Sequence, residues 1–142
     1  MKRVISIFLT LFFAVAILCS CGSSKFVNIP IINLSSDDFE RTLFADDSDE
    51  LVILLDVRTP EEFAQGHIKG AINVNVRDDN FLKEAKAALK IKEGRVLPTV
   101  AIYCRSGVRS LRAAELLEKK GYAKKVYNLE SGMIGWMGEV VR

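Results

Sequence analysis

One short stretch holds the residues best able to do chemistry: Tyr103-Cys104-Arg105-Ser106-Gly107-Val108-Arg109-Ser110. A β-like run from Thr99 to Tyr103 delivers one cysteine into a turn with two arginines and a glycine, and a helical pattern starts at Val108. A strand, turn and helix in this order aim backbone N–H groups and the positive end of a helix dipole at the sulfur. That setting favours thiolate over thiol, and the thiolate is the nucleophile. Arg105 and Arg109 offer planar guanidinium groups suited to the oxygens of an anion. Together these residue types point to nucleophilic chemistry on an oxyanion.

Cysteine usage singles out the same residue. Lys2 and Arg3 precede an apolar run from Val4 to Leu18. The run is shorter than the roughly 20 residues of a membrane-spanning helix and has the length of a signal-peptide core. It ends Leu18-Cys19-Ser20-Cys21-Gly22, which resembles the lipobox of bacterial lipoproteins with Cys21 in the acylated position. The resemblance implies a signal peptide over residues 1–20 and a lipid on Cys21. Residues 21–26 would be a short tether, and the domain would be held on the extracytoplasmic side of a bacterial membrane, in the periplasm or at the cell surface. An ordinary signal peptide without lipid is the alternative. Cys19 would leave with the signal peptide, so Cys104 stands alone with no internal disulfide to form. An unpaired cysteine in an exported chain reads as a reactive thiol or an intermolecular partner. Lys2 and Arg3 are the only charges before Cys21, so the 18 acidic residues of the remainder are matched by as many basic ones. That balance leaves no basic excess for nucleic acid.

The rest of the chain is long enough for one domain, residues 27–142, with its own core. Val27 to Leu34 reads as a strand, confined to a sheet edge by Pro30. Ser36-Asp37-Asp38 offers a helix N-terminus, with the helix over Phe39 to Phe44, and Asp46 to Glu50 reads as a solvated acidic turn. Leu51 to Val57 is a continuous apolar run suited to a strand buried on both faces. Thr59-Pro60-Glu61-Glu62 combines an N-cap, a proline at the first helical position and a capping box. Gly66 ends that short helix. Ala71 to Val76 reads as a strand, and a helix follows with Phe81, Leu82, Ala85, Ala88 and Leu89 on one face. From Val108 to Lys120 a further helix turns Ala113, Leu116 and Leu117 inward and stops at Gly121. Lys125 to Leu129 is the last strand, and Ser131 to Val141 reads as a short helix with Trp136 inward. Alternating strands and helices predict an α/β fold, a mostly parallel sheet with helices on both faces. Ligands bind such sheets beyond the carboxyl ends of the strands, which is where Cys104 falls.

Three stretches resemble the single-domain rhodanese, or thiosulfate sulfurtransferase, family. They are Leu55-Asp56-Val57-Arg58-Thr59-Pro60-Glu61-Glu62-Phe63 through Gly66 to Asn73, the Cys104 loop itself, and Gly121-Tyr122 with Val126 to Leu129 and Gly132 to Trp136. The resemblance implies that Cys104 takes a sulfur from a small anionic donor such as thiosulfate and holds it as a persulfide. Cyanide, a thiol or a protein would then accept it. Arg105, Ser106, Gly107, Val108 and Arg109 would bind the donor, through the arginines and through backbone N–H groups. Asp56 and Arg58 would brace the sheet edge and the loop. No cofactor or metal is implied, and one histidine with one usable cysteine does not make a zinc site. His67 belongs to the Gly66–Ala71 turn, which gives it a structural role.

Loop length separates related chemistries. Tyrosine-phosphatase-like and arsenate-reducing relatives place an arginine after five intervening residues. That position is Ser110 here, and Arg109 arrives one place early. The alternatives to the enzyme are a persulfide carrier serving a protein partner and a non-catalytic binding module.

Overall fold

The computed structural model describes residues 28–44 and 51–142; the signal peptide and tether expected over residues 1–26, Cys21 among them, and the acidic turn expected at 46–50 lie outside the described residues. Five parallel strands form the main sheet. They are Ile31–Leu34 (β1), Val52–Asp56 (β2), Ile72–Asn73 (β4), Thr99–Tyr103 (β5) and Lys125–Leu129 (β6), in the order β1-β6-β5-β2-β4. A second, two-stranded antiparallel sheet joins His67–Ile68 (β3) to Val140–Val141 (β7). The helices are Ser36–Phe44 (α1), Pro60–Ala64 (α2), Phe81–Ala88 (α3) and Val108–Lys120 (α4). This is the α/β fold expected from the alternating pattern.

Alternation along β5 shows how the sheet sorts its side chains. Val100, Ile102 and Cys104 enter one apolar cluster with Phe81 and Ala85 of α3 and Ala113, Ala114 and Leu117 of α4. Ala101 and Tyr103 enter the opposite cluster with Phe39 of α1, Leu54, Ile68 and Leu129. Every residue of β5 is buried, as a central strand covered on both faces requires. Cys104 therefore continues the register of the strand and falls on the α4 side.

The caps follow the sequence signals. Thr59 accepts from Glu62 N at 3.3 Å, and Glu62 Oε2 accepts from Thr59 N at 3.1 Å, which closes the capping box. Gly121 ends α4 in the left-handed region at φ +62°. Pro30 directly precedes β1, an edge strand paired only with β6. Leu116 is partly buried against the core, while Ala113 and Leu117 are wholly buried.

The strand read from Val27 begins only at Ile31, the first helix starts at Ser36 rather than Phe39, and the strand read over Leu51–Val57 spans Val52–Asp56 with Leu51 exposed. Two further expectations change. The strand proposed over Ala71–Val76 contracts to Ile72–Asn73, although Val74 N and Val76 N still donate to Asp56 O and Val57 O. The helix proposed over Ser131–Val141 is a single 3₁₀ turn at Gly132–Ile134 followed by β7. Gly132, Gly135 and Gly138 raise the cost of a helix there. In addition, Met133 N and Ile134 N donate out of the segment, to Cys104 O at 2.9 Å and Arg105 O at 3.0 Å. Trp136 does turn inward, edge-on to Phe39 at a centroid separation of 6.2 Å.

Phe39 is wholly buried beneath that contact. Phe39→Ala is expected to destabilise the domain by about 3–5 kcal/mol, read from urea unfolding; a loss below about 1 kcal/mol would contradict the placement of this second core cluster.

Candidate active site

The loop from Cys104 to Arg109 joins the buried end of β5 to α4. Gly107 is the residue before α4 and lies in the left-handed region at φ +86°, with no side-chain cap on the helix. A Cβ there would overlap the Glu130 carbonyl. Glycine is thus required twice, for the conformation and for the close approach. The N–H groups that a cap would normally satisfy are free to serve the sulfur instead.

The Cys104 sulfur lies at the floor of this turn and the residue is 0% exposed. Burial works against the thiolate. The Ser110 hydroxyl and the backbone N–H groups of Ser110, Ser106 and Gly107 more than offset it, so the thiol titrates below its ordinary value. Ser110 Oγ lies 3.5 Å from Cys104 Sγ and 3.0 Å from Gly107 O. Its single proton can serve one acceptor at a time, which allows it to turn to the sulfur as negative charge develops there.

The two arginines differ. Arg105 is exposed and makes no ion pair among the described residues. It lines a cavity of about 460 Å³ at the loop, together with Arg58, Glu62, Met133, Ile134 and Val140. Arg109 is held by Glu62 of α2 through two hydrogen bonds, Nη1 to Oε2 and Nη2 to Oε1, both 2.8 Å. The Arg109 guanidinium pulls the Glu62 carboxyl down to about 2, so this pair stays ionised at any physiological pH. Ser106 is exposed and Val108 is 73% exposed. Val108 contributes the first backbone turn of α4, and its side chain faces solvent.

Asp56 and Arg58 tie the end of β2 to the Gly66 turn beside the site. Asp56 accepts from Arg58 Nε at 3.0 Å and Nη2 at 2.5 Å, and Arg58 Nη2 also donates to Gly66 O at 2.8 Å. The guanidinium lies over the Tyr103 ring at 5.6 Å. Burial and the Asp56 charge push the Tyr103 phenol up, so its hydroxyl stays neutral and accepts from Ile68 N at 3.1 Å. His67 stacks on Phe63 at 3.7 Å, and its Nδ1 lies 3.2 Å from Phe63 O, a turn contact as expected.

Three contributors are not marked by local sequence. Glu62 reads as a helix cap, and its partner is 47 residues away. The Ser110 hydroxyl reads only as the start of a helical pattern. Gly132, at φ +57°, lies flat against the Arg105–Ser106 peptide. Ser110 lies in the Cys104 stretch itself; nothing local in the sequence marks Gly132 or Glu62 as a neighbour of that loop.

Comparison with known proteins agrees with this geometry. Residues 36–139 match the rhodanese-like domain family. The uncharacterized protein YqhL of Bacillus subtilis is 41% identical over 87 residues, which are 61% of this chain and 62% of that one. A protein of Allochromatium vinosum named sulfurtransferase is 38% identical over 87 residues, covering 61% of this chain and 73% of its own length. The crystal structure of a rhodanese-like domain protein from Staphylococcus aureus superposes with a TM-score of 0.59 at 28% identity, covering 76% of this chain and 93% of that one.

Ser110→Ala removes the hydroxyl and keeps every backbone donor. The ultraviolet thiolate titration of Cys104 is expected to shift to higher pH; an unmoved midpoint would remove Ser110 from the cradle. Because the folded thiol titrates below its unfolded value, its ionisation adds stability at high pH. That contribution is complete above the unfolded value of about 8.5 and is lost as pH falls through the folded one.

Proposed function

The chain belongs to the family of rhodanese-like domains, and on that premise we propose that it is a sulfurtransferase in which Cys104 carries the transferred sulfur. The Cys104 thiolate attacks the outer sulfur of thiosulfate or a similar donor. The donor S–S bond breaks, its electron pair leaves with sulfite, and Cys104 is left as a persulfide. Cyanide, a thiol or a protein acceptor then attacks the terminal sulfur, departs with it and restores the thiolate.

The observation that carries this reading is the recessed sulfur, 0% exposed and served by Ser110 and by backbone N–H groups of Ser106, Gly107 and Ser110. A recessed thiolate accepts a terminal sulfur atom end-on. The short loop, with Arg109 one place earlier than in phosphatase-like relatives, leaves a poor fit for a phosphoryl group. Arg105, exposed at the cavity and without an ion pair among the described residues, supplies a cation that draws in an anion. A relative of this chain carries the name sulfurtransferase, which supports the same class of reaction.

The test is intact mass after incubation with thiosulfate. One added sulfur atom is expected, lost on addition of cyanide and absent in Cys104→Ser. An unchanged mass would favour a non-catalytic binding module. Loading followed by slow transfer to cyanide would favour a persulfide carrier for a protein partner.

We further propose that the chain is exported and held on the extracytoplasmic face of a bacterial membrane by a lipid on Cys21, a reading supported by the sequence alone. Cys21→Ala is expected to move the protein from the membrane fraction to the soluble one. Retention in washed membranes would contradict the anchor.

A further inference from the structure

The register of the main sheet defines two poles. Ile31, Val126, Val100 and Ile53 lie in one row across β1, β6, β5 and β2, and all four strands run the same way. Asn28, Lys124, Pro98 and Leu51 precede that row, so the amino ends of the strands share one pole. Val126 N donates to Pro30 O and Lys124 N to Pro98 O, which ties the entering chain into it. Cys104 follows the other end of β5, about 20 Å from Pro98 at roughly 3.3 Å per residue.

The amino-end pole offers apolar tips among cationic side chains. Val96 is 90% exposed and Leu51 79%. Both line a cavity of about 330 Å³ with Leu97, Lys90 and Arg95. Long cationic side chains can lay their stems on an apolar boundary and keep their charges in water. The acidic stretch 46–50 directly precedes Leu51, and Glu93 is near Arg95 in sequence. Both signs of charge therefore occur here, and contact with an apolar layer is the attraction this pole has to offer.

Exposed apolar side chains alone do not choose an orientation, because Ile134 and Met137 stand 70% and 75% exposed beside the site. The attachment point chooses. Ile29 is 2% exposed within the core, so the chain is pinned at the amino-end pole. A chain of the length from Cys21 to Ile29 reaches at most roughly 28 Å, and an unconstrained one averages about 16 Å between its ends. With the amino-end pole against a leaflet, that length is ample. With the catalytic pole against it, Ile29 stands more than about 20 Å above the surface. The connecting chain must then be nearly straight, at a cost in entropy.

From this geometry we propose that the amino-end pole, with Leu51 and Val96 foremost, rests on the leaflet that holds the Cys21 lipid, and that the Cys104 loop faces the aqueous phase. The proposal rests on the lipid anchor proposed above. Donor and acceptor then reach Cys104 from solution rather than from within the bilayer.

Added tryptophans read the orientation. Trp136 is the one native tryptophan. It belongs to the catalytic pole, since Met137 N beside it donates to Ser36 Oγ at the start of α1. Val96→Trp and Ile134→Trp each place a second indole at an exposed position, one at each pole. Each full-length chain, purified from bacterial membranes, is bound to vesicles of phosphatidylglycerol and phosphatidylethanolamine with ordinary or brominated acyl chains; bromine quenches an indole at the acyl boundary. Wild-type emission is expected to be the same in both vesicles. Val96→Trp should lose most of its added emission in brominated vesicles, and Ile134→Trp none. Equal quenching of the two variants, or quenching of Ile134→Trp or wild-type Trp136 in preference, overturns the orientation and leaves the anchor standing, because the chains still sediment with the vesicles. A wild-type chain that carries no lipid and stays in the supernatant overturns the anchor, and this orientation with it.

Discussion

The structure depends on one backbone constraint, the clamp that fixes the Cys104 loop from outside. Met133 N and Ile134 N reach into it and bind the carbonyls of Cys104 and Arg105. Gly132 lies on the Arg105–Ser106 peptide, and Gly107 lies on the Glu130 carbonyl. With the carbonyls turned outward and tied down, the N–H groups of Ser106 and Gly107 face inward to the sulfur. Such a nest of donors stabilises an anion without reorganisation. The clamp is bought with glycines at positive φ, which no other residue would adopt cheaply.

The fold supplies the rigidity behind the clamp. β5 is buried over its whole length, and its alternation delivers Cys104 to the α4 side. The Asp56–Arg58 pair holds the end of β2 to Gly66. Loss of one partner from a buried pair of this kind costs about 3–5 kcal/mol, so these residues support the site without touching the reacting sulfur. Charge is then distributed with economy: one sulfur inclined to ionise, two arginines matched to carboxylates, and Arg105 without an ion pair among the described residues. The site stabilises its own sulfur chiefly by hydrogen bonds, and the arginines mostly organise the rim.

Most of the fold was legible because its signals are local. The apolar run at Leu51–Val57, the capping box at Thr59–Glu62 and the Gly121 stop each follow from neighbouring residues, and each stands. The nucleophile was legible for the same reason, as a cysteine between a strand and a helix start. What escaped the sequence is long-range. The carboxyl-terminal segment reads as a helix by composition, yet its N–H groups are taken by a loop some thirty residues earlier. Arg109 reads as a free anion binder, yet a carboxylate 47 residues away holds it. Neither pairing leaves a mark in local periodicity, because the partner is chosen by tertiary packing. His67 and Val108 show the converse: one sits in a motif and serves only a turn, the other lends its backbone while its side chain faces solvent.

The central claim is that the cradle around Cys104 favours its thiolate and lowers its titration below the ordinary thiol value. Its most direct test is the pH dependence of single-turnover persulfide formation in the wild-type protein. A rate that levels off with a midpoint below the ordinary thiol value of about 8.5 is predicted. A rate that instead climbs through that value and beyond, as an unassisted thiol would, contradicts the account.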